Sequence, residues 1–166
     1  MGLFDKIFGK SNDTPDWNDV PSWEDIKGTE KVYPKSALQL FSLRTKNGFA
    51  MGWVDKAYIN YPYKKYCKFN FLIKVHIKDV QTLSVFDLGA IQDFFSTELR
   101  KICVAHSVAR IMMDYGLNIE MYLEKEEEAL EHLKTLASKP DLGFKFGTES
   151  ANDPTWVAVK GLMELK

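Results

Sequence analysis

The chain has 166 residues, of which 45% are hydrophobic and 27% are charged, enough for one globular domain with a sizeable core. Its net charge of -1 excludes an overall basic field that would attract nucleic acid or an anionic membrane. No apolar run approaches the roughly 20 residues of a transmembrane helix, so a membrane span is excluded as well.

The first 35 residues are predicted to be an amphipathic segment and a polar connector that precede the domain. Apolar residues recur at helical spacing over residues 3–8, which favours either weak contact with a membrane surface or packing on the protein's own domain. The connector repeats the pattern Pro-x-Trp-x-Asp-Val/Ile around Trp17 and Trp23. These tryptophans form either a docking arm for a partner or the buried side of two short capped turns.

A β-hairpin is predicted next, with strands over residues 38–45 and 49–55. The dipeptide Asn47-Gly48 lies between these two apolar runs, and both of its residues accept the positive φ of a tight hairpin turn. Residues 56–66 are rich in tyrosine and contain Pro62, so we predict a loop there.

One β-α-β-β-α-β unit is predicted from residue 67 to residue 149. Its apolar residues alternate in the strands and recur every three or four positions in the helices. The predicted strands cover residues 67–77, 104–113, 117–124 and 142–148, and the predicted helices cover residues 87–101 and 125–137. The dipeptide Asp153-Pro154 then predicts the start of a final helix, because Asp caps it and Pro fits its first position.

This order of elements predicts an α+β fold of ferredoxin-like type over residues 36–166. The right-handed crossover rule places the first two strands of the unit parallel, with the third between them. The expected architecture is an antiparallel sheet with two helices on one face, an N-terminal hairpin and a C-terminal helix.

The two cysteines, Cys67 and Cys103, are predicted to be reduced thiols. They begin two strands that have a third strand between them, a separation of roughly 10 Å that is too large for a disulfide. Reduced cysteines favour a cytoplasmic protein.

Three short motifs mark the domain: the Asn47-Gly48 hairpin, the Asp114-Tyr115-Gly116 turn that leads into Ile119-Glu120-Met121-Tyr122, and the closing Asn152-Asp153-Pro154-Thr155-Trp156. In these motifs the chain resembles a bacterial family known as domain of unknown function 695, over roughly residues 36–165. Relatives of that family are structurally similar to the ribonuclease E regulator RraB, which binds and inhibits a ribonuclease. The resemblance implies a fold, because the family has no established activity.

The best polar constellation lies on the predicted helix-free face of the sheet. A three-residue turn would pair Met113 with Leu117, which places Arg110 opposite Glu120 and His106 opposite Glu124. A histidine between carboxylates is suited to general-base catalysis or to pH sensing. The other interpretation is a solvated face with cross-strand ion pairs or a protein contact. The candidate binding residues are His76, His106, Arg110, Glu120 and Tyr122.

Three classes of function stay open. A non-enzymatic protein-binding or regulatory module is favoured, because no catalytic, cofactor or metal motif stands out. A small-ligand binder or hydrolase-type enzyme would need a pocket between the 38–55 hairpin and the polar sheet face. An RNA-associated regulator would use Phe69, Phe71 and Tyr122 for base stacking, although the RNP1 pattern is absent. The expected partner is a protein, and a homodimer stays open.

Overall fold

The computed structural model describes residues 20–46, 48–78 and 85–166. Within these residues the strands are β1 (Leu38–Thr45), β2 (Gly48–Asp55), β3 (Phe69–His76), β4 (Ala105–Met113), β5 (Gly116–Leu123) and β6 (Lys145–Asn152). The helices are α1 (Trp23–Ile26), α2 (Val85–Arg100), α3 (Glu127–Ala137) and α4 (Lys160–Met163). Short 3-10 turns cover Glu30–Val32, Lys56–Tyr58 and Val157–Val159.

The strands form one antiparallel sheet in the order β1-β2-β4-β5-β3-β6. This confirms the predicted α+β class and the antiparallel sheet. Helix α2 connects β3 to β4, helix α3 connects β5 to β6, and β5 lies between β3 and β4. The hairpin formed by β1 and β2 widens the sheet, because β2 pairs with β4.

Aliphatic side chains fill the space between the sheet and helices α2 and α3, and we call this side of the sheet the helix face. Alternation along β3 turns Phe71, Ile73 and Val75 toward it. Leu99 of α2 and Leu133 of α3 are buried against the same cluster. Removal of this apolar surface from water is the main driving force for packing on this side.

The opposite side of the sheet, which we call the aromatic face, is covered by loops, 3-10 turns and the one-turn helices α1 and α4. Three segments pack on it, residues 20–34, 56–67 and 153–163. The aromatic residues that these segments bury are Trp23, Tyr58, Tyr61, Tyr63 and Trp156. The helix-free face is therefore not solvated around His106 and Tyr122. Farther along the same face, Lys74 of β3 and Glu149 of β6 form a partly exposed cross-strand ion pair, as the interpretation of a solvated face expects.

The turn between β4 and β5 is one residue shorter than predicted. Met113 pairs with Gly116 and not with Leu117, so two residues form the turn. A slip of one residue moves every side chain of a strand to the other face of the sheet. Arg110 accordingly lies opposite Ile119, on the helix face, and the predicted pairing of Arg110 with a carboxylate is wrong.

A β-bulge in β4 shifts the register by one further residue. This second shift returns the residues that precede it to the face of the sheet on which they were predicted. The register shifts between Ser107 and Ala109, and both Val108 and Ala109 contribute to the core of the aromatic face. His106 is thereby returned to the aromatic face, opposite Tyr122. The predicted pairing of His106 with Glu124 is wrong by two residues.

The last elements of the chain begin later than predicted. Strand β6 starts at Lys145, and the first turn of the C-terminal helix starts at Val157. The predicted helix start is wrong, because Trp156 and not Asp153 is the N-cap residue and Pro154 lies before the turn. The Asp153 carboxylate nevertheless accepts hydrogen bonds of 2.9 Å from the backbone N–H groups of Val157 and Ala158. Trp156 precedes the turn in the left-handed conformation, with φ of 60°. None of the helices in the described ranges is long and apolar enough to cross a membrane.

Candidate functional site

His106 lies at the centre of an aromatic cage on the aromatic face. Its side chain is 0% exposed. The hydroxyl oxygen of Tyr58 lies 3.1 Å from Nδ1, and that of Tyr61 lies 3.0 Å from Nε2. The rings of Tyr33 and Trp156 complete the cage, with centroids 5.2 and 6.0 Å from the imidazole centroid. Both ring nitrogens therefore have partners, and neither faces solvent.

The hydrogen bonds of the cage define the tautomer of His106. Tyr61 donates its hydroxyl hydrogen to the carbonyl of Val32 at 2.8 Å, so its oxygen accepts from Nε2–H. Tyr58 then donates to the unprotonated Nδ1. Burial, followed by the charge of Arg100, lowers the pKa of His106 to about 3. The imidazole is neutral at physiological pH and unsuited to exchange protons with a substrate.

Tyr122, the strand neighbour of His106, is fixed by Asp153 and Trp156. Its hydroxyl donates to Asp153 Oδ2 at 2.6 Å, and its ring stacks on Trp156 with a centroid distance of 4.0 Å. Burial and this hydrogen bond raise the pKa of Tyr122. Burial opposes ionisation of Asp153, but hydrogen bonds from Ala158 and Tyr122 outweigh it and lower the pKa of Asp153. The pair is a closed contact between a phenol and a carboxylate.

Glu120 shares the aromatic face with His106 but bonds to a different partner. Its Oε2 accepts a hydrogen bond of 2.9 Å from Asn70 of β3. Burial raises the pKa of Glu120, and the hydrogen bond from Asn70 opposes that shift. Glu120 pairs with Ala109 of β4, so the residue directly opposite it on that strand is not a histidine.

The other two predicted site residues lie elsewhere. The guanidinium of Arg110 lies on the helix face, 5.7 Å from the ring centroid of Trp53. Burial lowers the pKa of Arg110, and the charge of Asp93 opposes that shift. His76 lies at the exposed end of β3 against Tyr115, with centroids 5.4 Å apart. The five candidates therefore do not form one constellation.

The predicted pocket between the hairpin and the helix-free face is absent from the part of the chain that is described. The hairpin extends the sheet, and Trp156 and the cage tyrosines fill the space over His106. Phe71 and Tyr122 are not available for base stacking, because Phe71 is fully buried under the helices and Tyr122 under Trp156, while Phe69 is partly buried. In the described ranges, no group of three or more His, Cys, Asp or Glu side chains could hold a metal ion.

A groove with a volume of about 1190 Å³ lies at the other end of the sheet. It lies between the end of β3, the β4–β5 turn and the segment that connects α3 to β6. The charged and aromatic side chains that line it include His76, Lys78, Asp114, Tyr115, Lys139 and Lys145. Lysines outnumber the acid there, so the groove favours an anion.

The helix-face side of the hairpin carries an exposed apolar surface, formed by Leu38, Leu40, Phe49 and Met51, which we call the hairpin face. Leu40 is 78% exposed and Phe49 is 74% exposed. All four side chains point to the same side of the sheet. Leu40 pairs with Trp53, Leu38 is two residues from Leu40, and Met51 and Phe49 are two and four residues from Trp53. Single exposed apolar residues are ordinary, whereas a contiguous exposed patch marks an interaction surface.

Trp23, one of the two predicted docking tryptophans, is buried on its own domain. Ser22 caps α1 by accepting a hydrogen bond from the N–H of Asp25, as the capped-turn interpretation predicts. The Trp23 ring then stacks on Tyr66 with a centroid distance of 4.9 Å. Trp17 and the amphipathic residues 3–8 lie outside the described residues.

The sequence patterns did not identify as functional the residues that enclose His106 or the residues of the hairpin face. The four tyrosines between residues 58 and 66 were a usable signal, because that many aromatic residues in a loop favour a buried loop. Alternation of Leu38 and Leu40 with polar residues was visible too. Their exposure was not, since it depends on which strands α2 covers.

Comparisons with family models, with curated proteins and with solved structures found no match for this chain. We therefore infer its function from the geometry described above.

Proposed function

We propose that this chain is a non-enzymatic protein-binding module of regulatory type, which engages its partner through the hairpin face. The observation that carries the proposal is the contiguous exposure of Leu38, Leu40, Phe49 and Met51 on one side of a regular hairpin. Apolar side chains in that arrangement lose contact with water only when another molecule covers them.

The chemistry of the candidate polar residues supports a binding function over catalysis. General-base catalysis requires a titratable group that reaches a substrate at working pH. His106 is enclosed and neutral, Tyr122 donates to Asp153, and Arg110 lies on the other side of the sheet. Each group is therefore used in packing or in an internal hydrogen bond.

The fold that we propose for the module is ferredoxin-like, widened by the hairpin. In support, α2 and α3 connect a four-stranded set in the order β4-β5-β3-β6, which is the order of the split β-α-β arrangement. The similarity to domain of unknown function 695 and to RraB is part of the same proposal. Cys67 and Cys103 are both free, which supports a cytoplasmic location.

Site-specific photo-crosslinking in living cells tests the binding function. A photoreactive phenylalanine analogue replaces Leu40 in one variant and Glu149, an exposed residue of β6, in a matched control. We expect a discrete adduct with another protein from position 40 and none from position 149. Absence of an adduct at position 40 in every growth condition that expresses the protein would contradict the proposal.

The groove beside His76 supports a second candidate, a site for a small organic anion. Lys78, Lys139 and Lys145 supply positive charge at its walls, and Tyr115 and His76 supply aromatic surface. A groove of this size accommodates a small molecule. The candidate differs from the first because it places the function beside β3 and β6, on the opposite side of the sheet from the hairpin.

Thermal-shift measurements with organic phosphates and carboxylates test this second candidate. We expect a stabilising anion whose effect is lost in Lys145→Glu, and retained in Lys31→Glu, which lies outside the groove. A shift that is equal in both variants, or no shift with any anion, would remove it.

A further inference from the structure

Strand β1 forms a free edge of the sheet. It pairs with β2 on one side and with no described strand on the other. The Lys56 N–H donates to the Ala37 carbonyl at 2.9 Å, which continues the ladder of the hairpin by one pair. Because hydrogen-bonded pairs alternate along an antiparallel ladder, the odd-numbered residues of β1 bond to β2 and the even-numbered residues direct their backbone groups outward. The outward N–H and C=O groups belong to Leu38, Leu40, Ser42 and Arg44.

The sequence of β1 lacks the features that protect a free edge from pairing. Natural proteins protect such edges with proline, a β-bulge or a charged side chain that points inward. The eight residues of β1 contain no proline, and their pairing with β2 is regular throughout. The single charge of the strand, Arg44, lies near its end and is exposed. Leu38 and Leu40, which are 58% and 78% exposed, lie along the same edge.

The opposite edge of the sheet, formed by β6, is protected. Lys145 and Glu149 place charges on that strand, and Gly147 between them supplies no side chain for packing. Helix α3 packs against β6, and Glu149 forms an ion pair with Lys74 of the neighbouring strand. The two edges of one sheet therefore differ, and β1 is the edge that is open to another strand.

The charged residues along the β1 edge are cations. Residues 35–46 contain Lys35, Arg44 and Lys46, all exposed, and no acid. Asp55 of the neighbouring strand lies opposite Leu38 but is 5% exposed, and its carboxylate accepts hydrogen bonds from the Ser36 hydroxyl and the Ala37 N–H. Its charge is thereby held inside the hairpin and not at the edge.

This distribution of charge disfavours a second copy of the chain as the occupant of the edge. Antiparallel pairing of two β1 strands would place Arg44 and Lys46 of one copy near Lys35 of the other. Parallel pairing would place identical cations side by side. A different protein whose strand carries Asp or Glu would pair with these cations instead.

We infer that β1 binds an extended, acidic segment of a partner protein, which pairs with its outward backbone groups and adds a strand to the sheet. This inference rests on the proposed protein-binding function and specifies the form of the partner. Eight residues of strand are about 26 Å long, so a segment of about eight residues spans the edge. Its side chains on the helix-face side contact Leu38 and Leu40, while main-chain hydrogen bonds hold it in place.

A display selection tests the inference without a known ligand. The probe is a phage library of random peptides of about 12 residues, long enough to span the edge. The library is selected against the full-length protein and counter-selected against Ser42→Pro. This variant removes one outward N–H and places a ring at the edge, but it keeps the bonds to β2 because Ser42 does not donate to that strand. We expect the enriched peptides to alternate apolar residues and to contain Asp or Glu.

Thr148→Pro on the protected edge is the matched control. The Asp153 N–H donates to the Lys68 carbonyl at 2.6 Å, so the even-numbered residues of β6 direct their backbone groups outward. The control therefore makes the same backbone change at the same kind of position. Fluorescence anisotropy with the enriched peptide should give a Kd roughly tenfold larger for Ser42→Pro and an unchanged Kd for Thr148→Pro. Equal weakening in the two variants would overturn the inference.

N-methylation of the peptide gives a readout that needs no variant of the protein. A peptide that pairs with β1 donates every second N–H to it, so methylation should abolish binding at alternate positions and be tolerated between them. Tolerance at every position, or sensitivity at a helical spacing of three or four residues, would overturn the inference. Enriched peptides without acids, or no enrichment at all, would overturn it as well.

Analytical ultracentrifugation of the full-length protein tests the second copy as occupant. We expect Ser42→Pro to leave the oligomeric state unchanged, and a dimer that this variant dissociates would overturn the inference. Failure of strand addition is distinguishable from failure of the protein-binding function. If position 40 still crosslinks to another protein while no peptide shows the alternating pattern, strand addition is wrong and the protein-binding function stands.

Discussion

Both faces of this sheet bury large apolar side chains. They differ in how the chain segments that cover them satisfy their backbone hydrogen bonds. On the helix face, the core side chains between sheet and helices are mainly aliphatic or phenylalanine, and hydrogen bonds such as that from Ser96 of α2 to Ser107 of β4 are few. On the aromatic face, tyrosine, tryptophan and histidine side chains bond to each other and to carbonyls of the covering chain.

The reason lies in the chain that covers each face. Helices α2 and α3 satisfy their own backbone groups, so packing on their side depends mainly on apolar contacts. Irregular chain has carbonyls without a regular partner, and side chains supply the donors. Tyr61 donates to Val32, Tyr63 donates to Pro21, and Trp156 donates to Cys67. The aromatic face therefore depends on hydrogen bonds in a way that the helix face does not.

Replacement of Trp156 gives the largest expected effect. Its indole is buried and stacked on Tyr122, and its N–H donates to the Cys67 carbonyl at 2.9 Å. Trp156→Ala should lower the free energy of unfolding by about 3–5 kcal/mol, and so should Phe95→Ala on the helix face. Urea denaturation measures both changes.

Conservative replacements at the same two positions separate the faces. Trp156→Phe keeps a ring but leaves a buried carbonyl without its donor, a cost of about 1–3 kcal/mol in addition to lost packing. Phe95→Leu removes no hydrogen bond and should cost less. Equal losses in these two variants would contradict the difference between the faces.

Acid should destabilise the aromatic face through His106. Its pKa in the folded chain is about 3, below the ordinary value of 6.5, because burial excludes the charged form. The unfolded chain binds the proton first, so stability is full above pH 6.5 and falls as the pH decreases toward 3. Between pH 7 and pH 4 the loss from this group is about 3 kcal/mol, at 1.36 kcal/mol for each pKa unit.

Denaturation at several pH values measures this loss. In His106→Phe the group that titrates is gone, so its stability should depend less steeply on pH between 4 and 6.5, whatever its stability at neutral pH. An unchanged slope would mean that other groups cause the acid sensitivity. His132, which bonds to Glu98 on the other side of the molecule, provides the control as His132→Gln.

Replacement of each cage tyrosine by phenylalanine should cause a smaller loss of stability, and the loss should differ between the two positions. Tyr61 bonds both to Nε2 of His106 and to the Val32 carbonyl, while Tyr58 is placed at Nδ1. Tyr61→Phe leaves two buried groups without partners, and Tyr58→Phe leaves one. We expect losses of about 1–3 kcal/mol, with the larger value for Tyr61→Phe. Thermal and urea unfolding measure the order, and the reverse order would show that the assigned tautomer is wrong.

Local patterns in the sequence were sufficient for the strands and helices of the sheet. The alternation over residues 67–77 predicted β3, because one side of that strand is buried. The dipeptide Asn47-Gly48 predicted the hairpin, because both residues accept the positive φ of a tight turn. The site depended on register, and register depends on single residues. One residue fewer in a turn moved Arg110 to the other face, and one bulge returned His106. Neither feature has a reliable signal in the sequence.

The contacts of the aromatic face join residues that are far apart in the chain. Tyr58 and His106 are separated by 48 positions, and Trp156 and Cys67 by 89. A pattern in a short window contains no information about such pairs. The same limit applies to the hairpin face, whose exposure follows from the position of α2 over β4 and not from the hairpin's own residues.

Substitution at the hairpin face should have the smallest effect on stability. Leu40 is 78% exposed, so Leu40→Glu removes little buried area and should change the free energy of unfolding by less than about 0.5 kcal/mol. The adjacent Gly52 is the internal contrast, because an added Cβ would lie 2.2 Å from the Arg110 carbonyl and disturb the pairing of β2 with β4. Gly52→Ala should therefore lose stability where Leu40→Glu does not. If Leu40→Glu unfolds the protein to a similar extent, Leu40 is part of the folded core and the hairpin face is not a free surface.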